Sequence, residues 1–209
     1  IKGWGRMQFR PRDQRLPLHY NCLKVVLGAI RAICATRYEL ILFRAAFTTT
    51  FFGAFRLSEV VARSRLAAGA ACLRLRDVQM GETHMVVYLC RSKTDQEGRG
   101  MESRIGSIPD TAHCAVHRMQ RFLAVRPQVP GPLFIHQDGT CLSKFQFTTI
   151  FRAALHHAGL PACQFGSHSF RIGAATTAAA HGMGEYSIKR IGRWQSRAYR
   201  GYVRTTMCN

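Results

Sequence analysis

Acidic residues are scarce in this chain. Eleven Asp and Glu stand against 30 Lys and Arg in 209 residues, a formal net charge of +19. Carboxylates so few and scattered offer no cage for a divalent cation. The imbalance also costs folding stability through self-repulsion, which makes sense when the working partner is a polyanion. Nucleic acid is the natural reading, with an anionic membrane surface second.

An uninterrupted apolar run is missing too. The most apolar stretch, Leu40 to Val61, carries Arg44, Arg56 and Glu59, which excludes a membrane span. No block of five or six like charges forms a tail, so the positive charge belongs to a folded surface. Internal repeats and low-complexity segments are absent. The eight cysteines lie far apart with no Cys-x-x-Cys among them. No signal-peptide pattern accompanies them, and reduced, buried thiols in an intracellular protein are expected. His113, Cys114 and His117 share a helical stretch without a second ligand pair at useful distance, which argues against zinc. His156-His157 reads as a surface pair. Tyr88 is the one aromatic in the strand-like segments that could stack on a base, too little for a sheet-based RNA-binding module.

The length permits one substantial domain with a real core. IKGWGRMQFRPRDQR, residues 1–15, reads as a basic linker, the end of an upstream region. Apolar residues recur at helical spacing from Leu16 to Cys34 and from Tyr38 to Phe55, and RLSEVVARS continues after a break near Gly53. Strand character follows at Cys72–Val78 and His84–Cys90, with Gly81-Glu82 in the turn, and again in SRIGSIP. Pro109 to Arg126 returns to helix. Ser143 is an N-cap for a helix ending at Gly159, and His181-Gly182-Met183-Gly184 divides the last stretch into two helices. The fold class predicted is mainly α with a small three-stranded antiparallel sheet.

Chemistry concentrates between Ser167 and Arg204. His168 and Arg171 stand three apart on a first helical turn and can address one oxyanion together. Arg193-Trp194 follows, and Tyr199 and Tyr202 sit beside arginines, again three apart. Upstream, Arg56 lies in FGAFRLSEV one turn before Glu59. An i,i+3 surface pair is the plain reading, but Phe51, Phe52, Phe55, Leu57 and Val60 would hold the guanidinium at the edge of a core, where arginine is kept for its fork. Lys93, in RSKTDQEGRG, sits at a hairpin tip. On spacing alone it is either a solvated lysine or one that folds over a phosphate.

FGAFRLSEV, CRSKTDQEGRG, GSHSFRIGAATTAAAHG, IGRW and YRGYVR, in that order and at these separations, resemble the catalytic domain of tyrosine recombinases. The nearest likeness is to recombinases of DIRS-type retrotransposons, with Cre-like phage enzymes further off. The interval of eight residues from Trp194 to Tyr202 suits the retrotransposon branch. The resemblance implies a DNA breaking-and-rejoining fold over residues 16–209, preceded in the family by a helical core-binding domain. It implies that Arg56 and Arg171 grip the scissile phosphate, that His168 donates to it, and that Lys93 protonates the leaving 5′-oxygen. Trp194 would pack and donate its indole N–H, Glu59 would orient the arginines, and Tyr202 would attack phosphorus, with Tyr199 the alternative nucleophile. It further implies double-stranded DNA as partner, self-association as dimer or tetramer on DNA, no cofactor, metal or ATP, no membrane, and a nuclear location for a mobile-element enzyme. Two alternatives stay open: a relic that binds DNA without cutting it, and a type IB topoisomerase that relaxes DNA by the same chemistry.

Overall fold

One helix is buried on almost every side, and the rest of the chain packs around it. In the computed structural model, which describes residues 14–65, 72–90 and 100–204, this is α2, Arg37–Phe52. Leu42, Phe43 and every residue from Ala45 to Phe51 are buried, as expected of a helix that is apolar all round. Two of its three buried hydroxyls are satisfied within the helix, Thr48 donating to the Arg44 carbonyl at 2.8 Å and Thr50 to that of Ala46 at 2.7 Å, while that of Thr49 has no partner among the described residues. Thr36 caps its start by accepting from the Glu39 N–H.

Around α2 lie α1 (Tyr20–Ile33), α4 (Ala115–Val125) and α6 (Ser167–Ala180), with α5 (Lys144–His157) against α1. α1 turns Leu23, Val26, Leu27 and Ile30 inward, the spacing that its sequence predicts. Phe47 of α2 is the centre of an aromatic cluster, with ring centroids 4.6 Å from Phe147, 5.8 Å from Phe151 and 5.5 Å from Phe170. Such contacts add about 0.5–1.5 kcal/mol each beyond area burial. They also fix the angle of α6, because Phe170 is the residue before Arg171.

A short α3 (Leu57–Val60) follows α2, then an antiparallel sheet in the order β1 (Val78–Met80), β2 (His84–Leu89), β3 (Met101–Gly106). Val78 pairs with Val87, Met85 with Ile105 and Leu89 with Met101. Met85, Val87 and Leu89 face the core while Tyr88 is exposed, the alternation of a half-buried strand. The chain closes with α7 (Glu185–Gly192) and a 3-10 turn, Arg197–Gly201.

The predicted class, mainly α with three antiparallel strands, is the one observed; several boundaries differ. The first strand begins at Val78 and not Cys72, because the Asp77 carboxylate accepts the Arg74 N–H at 2.8 Å and coils Leu75–Asp77 into a 3-10 turn. The third strand starts at Met101, two residues before SRIGSIP, where the ladder to Leu89 begins. Helix starts at Ala115 and not Pro109, since Asp110 spends its carboxylate on Tyr20 and His113. Of the cysteines among the described residues all are free, yet Cys90 and Cys163 are exposed, against the expectation of buried thiols. No helix among the described residues is long and apolar enough to cross a membrane.

The segment before α1 runs along α6, with the Leu18 N–H donating to the Ser169 carbonyl at 2.9 Å. A Cβ on Gly173 would lie 1.9 Å from the Leu18 carbonyl oxygen, so the glycine sets how closely the two approach. Gly173→Ala is expected to lose about 1–3 kcal/mol by overpacking. Gly28→Ala, on the exposed side of α1 with nothing within 4 Å, is expected to gain up to about 1 kcal/mol. Urea unfolding of both variants checks the pair.

Candidate active site

The site begins where α2 stops. A Cβ on Gly53 would meet the Phe55 ring at 2.0 Å, so only glycine lets the chain fold back there. Ala54 then takes φ 43°, a left-handed conformation that costs a non-glycine residue roughly 1–2 kcal/mol. The turn aims two carbonyls at arginines: Arg171 Nη1 donates to Ala54 O at 2.6 Å, and Arg193 Nη1 to Gly53 O at 2.8 Å. Arg193 is itself left-handed, φ 55°, at the end of α7. Strain on both sides of the contact is therefore held by the contact.

Glu59 gathers the arginines. Its side chain is 6% exposed; Oε1 accepts from Arg56 Nη1 at 2.9 Å, and Oε2 from the Arg56 backbone N–H at 2.8 Å and from Arg193 Nη2 at 3.0 Å. Three guanidiniums, those of Arg56, Arg171 and Arg193, thus share the neighbourhood of one carboxylate. Burial, then the charges of Arg193 and Arg56, pull Arg171 down to about 10, while Tyr202 and Glu59 act in the other direction. Burial likewise lowers Arg193, with Glu59 opposing. The pocket is short of negative charge by construction.

On its other side Arg171 lies 4.4 Å from the Trp194 ring and 5.4 Å from that of Tyr202, and those two rings are 5.0 Å apart. Among the described residues, the buried Trp194 Nε1, Arg171 Nε and Arg193 Nε have no hydrogen-bond partner. Buried donors of this kind suit an anionic acceptor. A Cβ on Gly192 would strike the Trp194 ring at 1.8 Å, so the glycine before Arg193 makes room for the indole.

The predicted residues separate by burial. Arg171 is 3% exposed, whereas His168, one turn earlier on α6, is exposed. Arg56 is partly exposed and in contact with Glu59. The two tyrosines pack on the same small cluster but differ in burial: in the 3-10 turn Tyr199 is 8% exposed and packs among Ala175, Ala178 and Ile188, while Tyr202 is half-buried and lies beside Arg171. Tyr202 is pinned by its N–H to the Tyr199 carbonyl at 2.8 Å and by its carbonyl, which accepts from Thr176 Oγ1 at 3.2 Å. Lys93 lies outside the described residues. His113 binds the Asp110 carboxylate at 2.9 Å and His117 is exposed, and among the described residues no group of three metal-ligating side chains forms.

Arg193 is the residue that sequence reading underestimates. It was grouped with Trp194 as a phosphate handler, yet its guanidinium spends its donors on Glu59 and the α2 turn. The available signal was an arginine, not a glycine, at a helix end directly after Gly192. Glu59→Gln and Arg193→Met are each expected to lose about 3 kcal/mol, because each leaves a buried partner uncompensated. The double variant should fall short of the sum by more than about 0.5 kcal/mol, the mark of direct coupling in a urea double-mutant cycle.

No family model matches the sequence. It is 30% identical over 152 residues to an integrase/recombinase XerD homolog of Selenomonas ruminantium, covering 70% of this chain and 42% of that protein. The chain therefore spans less than half the length of this relative. Among solved structures, a XerH site-specific recombinase bound to its difH substrate superposes with a TM-score of 0.65 at 18% identity, over 90% of this chain and 50% of that one. XerA recombinase gives 0.67 at 15% over 91% and 61%, and the Tn1549 transposon integrase 0.62 at 15% over 92% and 62%. The fold is the one these recombinases share. With its 30% identity to the XerD homolog and the ordered motifs on its sequence, the chain belongs to the tyrosine recombinase/integrase family.

Proposed function

We propose that this domain cuts and rejoins DNA strands through a 3′-phosphotyrosyl intermediate, with Tyr202 as nucleophile. The observation that carries the reading is the placement of the Tyr202 ring 5.4 Å from the buried Arg171 guanidinium, in a pocket that already holds Arg56, Trp194 and Glu59. The relatives support it: XerH is seen in pre- and post-cleavage complexes with DNA, the Tn1549 integrase with circular intermediate DNA, and a lambda integrase as a dimer on a core site. By this likeness the partner is double-stranded DNA, bound by more than one copy of the chain.

The chemistry follows from charge. A phosphodiester under attack gathers negative charge on its equatorial oxygens, and preorganised guanidiniums meet it without rearrangement. Arg171 and Arg56 would take the non-bridging oxygens, Trp194 Nε1 and His168 would add donors, and Glu59 with Arg193 would hold the set in place. The Tyr202 oxygen forms a bond to phosphorus as the bond to the 5′-oxygen breaks. His168 assists removal of the phenolic proton, and Lys93 supplies a proton to the leaving 5′-oxygen, which departs as a hydroxyl. Attack by a 5′-hydroxyl reverses the step and rejoins the strand, so the phosphodiester energy is conserved. The interval from Trp194 to Tyr202 favours a mobile-element enzyme of the DIRS type.

A covalent-trapping assay on nicked DNA carrying candidate element ends tests this, with products resolved under denaturing conditions. Wild type should form a protein–DNA adduct, Tyr202→Phe none, and Arg171→Ala should be slower by roughly 10²–10³-fold. Tyr199→Phe keeps the buried ring and should retain the adduct. Loss of the adduct in Tyr199→Phe but not Tyr202→Phe would reassign the nucleophile; bound DNA without any adduct would identify a binder that does not cut.

A further inference from the structure

A second concentration of arginine lies at the far end of α2. Arg37 opens that helix and Arg44 follows two turns later; Arg31 is in the last turn of α1, and Arg118 and Arg121 are on α4. At the helical rise, Arg37 is roughly 24 Å and Arg44 roughly 14 Å along the axis from Gly53, where the phosphate pocket begins. The two basic sites face different parts of the molecule.

Two of these guanidiniums are anchored. Arg44 Nε and Nη2 both donate to the Leu27 carbonyl, at 3.1 and 3.0 Å, and Arg118 Nε donates to that of Ala112 at 2.8 Å. Burial, then Arg44 and Arg121, bring Arg118 down to about 10; burial, then Arg121 and Arg31, lower Arg44. Nearby acids are already engaged. Glu39 accepts from the Ala35 N–H, Asp110 is held by Tyr20 and His113, and Asp138 pairs with Arg65. Among the described residues Arg31, Arg37 and Arg121 enter no ion pair. Arg37 and Arg121, exposed and without an ion-pair partner among the described residues, the latter beside the like charges of Arg44 and Arg118, are left for an external anion.

Between α2 and α4 the same face opens a cleft of about 550 Å³, lined by Arg37, Tyr38, Ile41, Arg121, Val125 and Gln137. Its lining is mostly apolar and includes two guanidiniums. Duplex DNA keeps its bases stacked inside and presents only phosphates and groove edges, whereas an unpaired strand offers a flat base for the apolar lining and a phosphate for each arginine. We propose that the α2–α4 face is a second nucleic-acid site, separate from the phosphate pocket, that takes an unpaired strand with a base in the cleft and its phosphates on Arg37 and Arg121.

The site stands on this face alone and does not depend on Tyr202, so failure of strand cleavage and failure of this site are distinguishable. The test is fluorescence anisotropy of the whole chain with labelled oligo-dT of roughly 20 nucleotides and with a duplex of equal length, titrated over salt. For Arg37→Ala/Arg121→Ala, oligo-dT affinity is expected to fall about tenfold and the log–log salt slope to shrink by about 1.4, two phosphates at about 0.7 each. Duplex affinity should change less than about twofold. Val125→Asp, at an exposed cleft position, should weaken oligo-dT about fivefold with the thermal midpoint unchanged. Equal losses for duplex and oligo-dT would overturn the proposal, as would an equal loss in Arg76→Ala/Arg104→Ala, a pair of exposed arginines by the sheet. Polyglutamate that binds the wild type more tightly than oligo-dT, and is lost in the same Arg37/Arg121 variant, would assign the face to an acidic protein partner instead.

Discussion

The buried Glu59 carboxylate is the contact on which the site depends. It holds Arg56 from α3 and Arg193 from the end of α7, residues separated by most of the chain, and through Arg193 it closes the turn that also receives Arg171. A buried cation is stable only with partners, and here one carboxylate pairs with Arg56 and Arg193 while Arg171 is held by the Ala54 and Gly192 carbonyls. The imbalance leaves folding energy unspent in the free protein and recoverable when a phosphate enters. In the proposed strand-cutting role this arrangement would align binding with chemistry, because charge that appears on the substrate is the charge that the pocket lacks.

Much of this was legible in the sequence, and the reasons for the rest are physical. Period and capping located α1, α2, α5 and α6, because their buried faces repeat every turn. His168 and Arg171 were legible as a helical pair, and Arg56 with Glu59 as another, since both spacings are local. Arg193 was not, because its role is defined by Glu59 and Gly53, at sequence separations of more than 130 residues. Tyr199 and Tyr202 looked alike because three-residue spacing puts them on one face, in a 3-10 turn as in an α-helix, and both do pack on one small cluster. What separates them is depth, which is set by packing against α6 and α7 and is not written in the spacing. Asp77 and Asp110 misled the reading for a common reason: each carboxylate takes a nearby donor and ends regular structure where propensity alone would extend it.

The positive charge of the chain is not one undivided coat. At the α2 turn Arg171 and Arg193 are buried, close to Glu59 and beside aromatic rings; toward the other end of α2 the arginines crowd one another, and exposed Arg37 and Arg121 line a cleft. One helix joins the two sites, and its buried Phe47 cluster keeps it rigid between them.

Trp194, Tyr199, Ile188, Ala175 and Ala178 form a hydrophobic cluster of their own, apart from the main core built on Phe47. Tyr202 and Val203 pack on that small cluster, and the Thr176 hydroxyl meets both the Tyr202 carbonyl and the Arg204 N–H. The position of the tyrosine beside Arg171 is therefore set by a small aromatic cluster on α6 and α7, whose packing is distinct from that of the Phe47 core which orients the helices.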